Sequence, residues 1–75
     1  MKAQNADDFS AQVGKRIAEI RKAADITQEK LAEQTGLDRM TIALIETGKK
    51  KPSLTTIYKI AFALRVEPYT FFQGA

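Results

Sequence analysis

Apolar residues recur along most of this chain at three- and four-residue spacing, the periodicity of helices packed on one face. Phe9, Val13, Ile17, Ile20 and Ala24 form one stripe, predicting a first helix of about four turns. Gly14 lies inside that helix, where it weakens the helix by about 1 kcal/mol relative to alanine and permits close packing on a neighbour. Asp25 is a plausible stop, because aspartate tolerates the left-handed conformation better than most residues. Leu31 and Ala32 follow Thr27, whose hydroxyl suits a helix N-terminus. Gly36 can take the positive φ that ends that second helix and turns the chain. Asp38 can cap a third, with Ile42 and Ile45 facing inward, while Leu37 plugs the corner and the small Ala32 permits close approach.

Gly48-Lys49-Lys50-Lys51-Pro52 is a loop by composition. Ser53 then caps a fourth helix with Leu54, Ile57, Ile60, Ala61 and Leu64 on its buried face. Pro68 suits the first turn of a short final helix carrying Tyr69, Phe71 and Phe72, with Phe71 expected inward beside Leu64 and Ile60. The fold expected is all-α, a compact five-helix bundle: a loose polar arm over residues 1–7, then one domain over residues 8–75. Within it, Gln28 to Thr47 reads as two short helices joined by a sharp glycine turn, the layout of a DNA-reading helix-turn-helix.

Charge sharpens this reading. The 75 residues carry a net charge of only +3, but from Thr47 to Val66 there are five basic residues (Lys49, Lys50, Lys51, Lys59, Arg65) and no acidic one. Such a stretch suits a polyanion. With neither cysteine nor histidine, the chain offers no disulfide and no thiolate or imidazole metal site. No cofactor is expected, and no carboxylate pair or phosphate-cradling glycine loop suggests an enzyme. No apolar run approaches the roughly 20 residues a bilayer requires, and no signal peptide opens the chain, so a cytoplasmic location without a membrane partner is expected.

Helical phase assigns the candidate contacts. With Ile42 and Ile45 inward, Met40, Ala43, Leu44 and Thr47 turn outward, with Arg39 and Thr41 on the flanks. A major-groove helix reads bases mostly through its N-terminal residues. Arg39 is the best polar reader, since its fork matches the two guanine acceptors; a phosphate contact or an ion pair with Asp38 is the alternative. Met40, Ala43 and Leu44 suit thymine methyl groups, unless Leu44 is partly core or this face meets a protein. The amides at Thr27 and Gln28 suit one phosphate, while Thr47, Lys49 and Lys51 can grip the opposite edge of the groove; Lys50 can point elsewhere. Tyr58, Phe9, Phe62 and Phe71 read as core or interface rather than base-stacking platforms. Val66, Tyr69 and Phe72 are expected at a dimer interface, with Tyr69 and Phe72 free to meet a partner unless both rings only close the bundle.

From about Val13 to Phe72 the chain resembles the lambda-repressor-like, or XRE-type, helix-turn-helix family. The resemblance rests on T-Q-x-x-L-A at Thr27–Ala32, I-x-x-I-E-x-G at Ile42–Gly48 and K-P-S-L at Lys51–Leu54. It implies a transcription regulator, a homodimer reading double-stranded DNA through the major groove on a two-fold symmetric operator. A small restriction–modification controller is the nearest type. The alternative is an antitoxin that represses its own operon and binds a toxin protein, and RNA polymerase is a further partner the family admits. The resemblance also implies a backbone-clamping role for Gln28 and a salt bridge between Arg21 and Glu46 that poses the third helix. Two departures stand out: Arg65 stands where the family usually has glycine, and Pro68-Tyr69-Thr70-Phe71-Phe72 is more aromatic than the usual final helix.

Overall fold

A computed structural model describes residues 5–73. Among the described residues there are four helices, α1 (Ala6–Ala23), α2 (Gln28–Thr35), α3 (Arg39–Glu46) and α4 (Leu54–Leu64), followed by a 3-10 turn over Pro68–Phe72. The fifth element is therefore one tight turn rather than an α-helix, and no strand occurs among the described residues.

The local signals act where the residue chemistry requires. Thr27 accepts from the Lys30 amide at 3.0 Å, Asp38 from Thr41 at 2.9 Å, and Ser53 from Thr56 at 3.1 Å. Each such cap is worth about 1 kcal/mol. Gly36 ends α2 at φ 76°, and Asp25 follows α1 at φ 60°. Arg65 closes α4 in the left-handed region, φ 59° and ψ 42°, so the departure from glycine is met by strain and not by moving the cap.

Three boundaries and faces differ from expectation. Asn5 caps α1 by accepting from the Asp8 amide at 2.8 Å, so the helix begins at Ala6 and the expected arm loses its last residues; residues 1–4 of that arm lie outside the described region. Asp7 and Asp8 complement the positive end of the helix dipole, which is why polar residues are helical there. Ala24 is an exposed C-cap, and Ile26 packs against the core beyond it. Leu54 is 84% exposed and not part of the buried face of α4.

The core gathers Val13 and Ile17 of α1, Leu31 of α2, Ile42 and Ile45 of α3, Ile57, Ile60 and Leu64 of α4, and Phe71. Phe71 is fully buried, as its place in the pattern predicts. α1 packs on α3 and on the terminal turn, and α2 packs on α3 and α4. This arrangement holds α3 by its apolar side and leaves its first two residues, Arg39 and Met40, exposed. No helix among the described residues is long and apolar enough to cross a membrane.

Candidate nucleic-acid interface

α3 is posed from below by a buried ion pair. Arg21 of α1 donates through Nε to Glu46 Oε2 at 2.7 Å and through Nη2 to Oε1 at 3.0 Å. Its remaining Nη1 reaches the Ile26 carbonyl at 2.7 Å. Gln28, the first residue of α2, donates to Glu46 Oε1 at 2.9 Å. The buried carboxylate is thus met by three donors, as a desolvated charge requires. Gln28 then continues the network outward, accepting from Arg39 Nη1 at 3.3 Å. Arg39 also lies 3.3 Å from Glu29 Oε2 through Nε. One polar chain therefore runs from α1, through the last residue of α3 and the first of α2, to the first residue of α3.

Each candidate contact residue has a definite place. Arg39 and Met40 are exposed at the start of α3, Met40 by 62%. Thr41, Ala43 and Leu44 are half-buried, so Leu44 divides its surface between the core side and solvent. Arg39 pairs with Glu29 and not with Asp38; the Asp38 carboxylate is committed to the Thr41 amide, which holds it below the usual carboxylate range. Thr27 is exposed, its hydroxyl spent on the α2 cap. Gln28 is half-buried and held between Glu46 and Arg39. Thr47 is exposed, its hydroxyl turned back onto the Ala43 carbonyl at 2.9 Å.

The basic loop leaves α3 through Gly48, φ 78°, whose backbone crosses so close to Ala11 that a Cβ there would sit 2.9 Å from the alanine methyl. Lys49, Lys50 and Lys51 are all exposed. Lys51 is paired with Asp7 of α1 at 2.6 Å, and that ammonium holds the Asp7 carboxyl below its ordinary value. Among the described residues Lys49 has no ion-pair partner.

The proposed dimer residues separate. Tyr69 is 59% exposed, Val66 is half-buried against the core, and Phe72 is half-buried with its ring stacked on Phe9, centroids 5.7 Å apart. Phe72 thus spends one ring face inside the chain. Two exposed aromatics that the sequence left unassigned between core and interface, Tyr58 and Phe62, lie together on α4 at 6.1 Å in line with Leu54. The signal for them was present. At about 100° per residue the apolar arc of α4, from Ile60 round to Phe62, covers roughly 200°, too wide for one packing face. Ile57, Ile60, Ala61 and Leu64 take the inner half, leaving Leu54, Tyr58 and Phe62 outside.

Comparison with known proteins agrees with this geometry. A family model described as "Helix-turn-helix" matches residues 17–71. An HTH-type transcriptional regulator of Archaeoglobus fulgidus is 46% identical over 60 residues, spanning 77% of this chain and 86% of the relative. The immunity repressor protein of Bacillus phage phi105 is 44% identical over 55 residues, 73% of this chain and 38% of that protein. The restriction-modification controller protein C.AhdI from Aeromonas hydrophila has a similar structure, with a TM-score of 0.81 at 40% identity over 83% of this chain and 94% of that one.

Proposed function

The chain belongs to the helix-turn-helix family of DNA-binding transcriptional regulators, and on that premise we propose that it acts as a homodimer on a two-fold symmetric operator, in the manner of a small restriction–modification controller. In this reading the described bundle is one DNA-binding domain. Arg39 and Met40 enter the major groove first, with Thr41, Ala43 and Leu44 along the groove-facing flank. The α2 amides at Thr27 and Gln28 receive one phosphate, and Thr47, Lys49 and Lys51 meet the backbone across the groove. Lys51 exchanges its Asp7 carboxylate for a phosphate.

The observation that carries the dimer is the uncovered apolar surface of α4. Leu54, Tyr58 and Phe62 stand in solvent on one helix face, with Tyr69 exposed beyond the helix. A single module buries roughly 600–1,000 Å² on DNA and binds weakly alone, so a second copy related by a two-fold axis supplies the missing affinity. The interface is accordingly Leu54, Tyr58, Phe62 and Tyr69, with the half-buried Val66 and Phe72 in a supporting role.

Selection of bound duplexes from a random pool tests the reading. A palindromic consensus with half-sites about one helical turn apart is the expected result. An asymmetric consensus would remove the two-fold operator, and no enrichment would remove sequence-specific recognition.

A further inference from the structure

Arg39 has two chemically different ways to meet DNA. As a free cation on a flexible stem it is captured by any phosphate. Held in plane by a second group, it presents the end of its fork to the paired acceptors of a guanine. The difference separates a sequence-blind contact from a sequence-reading one.

The surroundings of Arg39 favour the second. Glu29 Oε2 faces Nε at 3.3 Å, and Gln28 Oε1 accepts from Nη1 at 3.3 Å. Gln28 cannot swing freely, because its own amide is bound to the buried Glu46. Glu29 differs in kind. It is an exposed carboxylate in the first turn of α2, close to the helix start where a phosphate is proposed to sit, and its described ion-pair partner is Arg39. A carboxylate facing Nε lies along the Nε–Nη2 side edge of the guanidinium and not across the Nη1–Nη2 end of the fork. By occupying that edge it keeps a phosphate off the guanidinium.

Resting on the assignment of Arg39 as a base reader, we infer that Glu29 is a positioning residue for specificity: it buttresses Arg39 through Nε, leaving the end of the fork for a guanine and denying the cation to the phosphate backbone. Glu29 contributes no base contact. It acts through Arg39, and its cost is a weaker grip on random DNA.

The test is a four-protein comparison: wild type, Glu29→Gln, Arg39→Ala and the double variant. Each is titrated with the selected site and with a random duplex at several salt concentrations. Both side chains are exposed, so all four proteins are expected to fold, which circular dichroism checks. Glu29→Gln should lower the ratio of selected-site to random affinity by roughly two- to fivefold, the scale of an exposed ion pair. Its salt slope on random DNA should steepen by about one, as Arg39 becomes free to meet a phosphate. In the Arg39→Ala background both changes should vanish.

The inference is overturned if Glu29→Gln leaves the ratio unchanged. It is equally overturned if the ratio and slope change as much without Arg39, since the carboxylate would then be acting directly on the DNA. Failure of wild type to prefer any site overturns the underlying assignment of Arg39 and this inference with it, and is visible before any variant is made.

Discussion

Gly14 in the middle of α1 lies against the backbone carbonyl of Ile45 in α3. A Cβ on Gly14 would collide with that oxygen and fall 3.0 Å from its carbon and 3.4 Å from the Glu46 Cα. The flexibility of glycine is not what is needed here; its missing side chain lets two backbones touch. Gly14→Ala should therefore destabilise the domain by about 1–3 kcal/mol, although alanine is the better helix former. Urea unfolding measures this, and a variant as stable as wild type would show that α1 and α3 can separate freely.

The Arg21–Glu46 pair is expected to be costly to break from one side. Arg21→Met leaves the Glu46 carboxylate buried with Gln28 as its remaining described donor, at a cost of about 3–5 kcal/mol. Against a total of about 5–15 kcal/mol for a small domain, that is a large fraction of the stability. The double change Arg21→Met with Glu46→Leu removes the orphaned charge and should recover part of the loss. No recovery would locate the cost in packing instead of charge.

Arg65 offers the opposite case. Its left-handed backbone costs a side-chain-bearing residue about 1 kcal/mol, which glycine avoids. Arg65→Gly should raise the melting temperature despite deleting a large side chain. An unchanged or lower value would mean that the arginine side chain makes a compensating contact.

The aromatic residues near the chain end should divide into two classes. Phe62→Glu and Tyr69→Ala leave the core untouched and are expected to yield folded monomers in sedimentation, with loss of operator binding. Phe72→Ala removes the ring stacked on Phe9 and should lower stability by roughly 2 kcal/mol whatever the oligomeric state. Dimers that persist at micromolar concentration in both surface variants would put the interface elsewhere.

Lys49→Ala and Lys51→Ala should weaken binding on all sequences alike, each reducing the log–log salt slope by about 1. For Lys51 the loss should be the smaller of the two in affinity, because leaving Asp7 already costs part of what the phosphate returns. Slopes unchanged in both variants would detach the loop from the DNA backbone.

The sequence by itself determined the helical order, the caps and the turn. Thr27, Asp38 and Ser53 cap through atoms three residues away, and Gly36 and Asp25 turn the chain through their own backbone preferences, so these signals are complete within a few residues. The inward stripe of Ile42 and Ile45 is likewise a matter of local phase. The buried face of α4 was equally visible in Ile57, Ile60, Ala61 and Leu64, but its edge at Leu54 was not. Leu54 lies outside and Phe72 spends one ring face on Phe9 because burial depends on what α1 and the terminal turn cover. Tertiary structure also decided the partner of Arg39. Asp38 is its neighbour in sequence, but that carboxylate is bound to the Thr41 amide, and folding α2 against α3 brings Glu29 within reach instead. A capping bond closes within one turn of chain; an ion pair between helices exists only once their crossing is set.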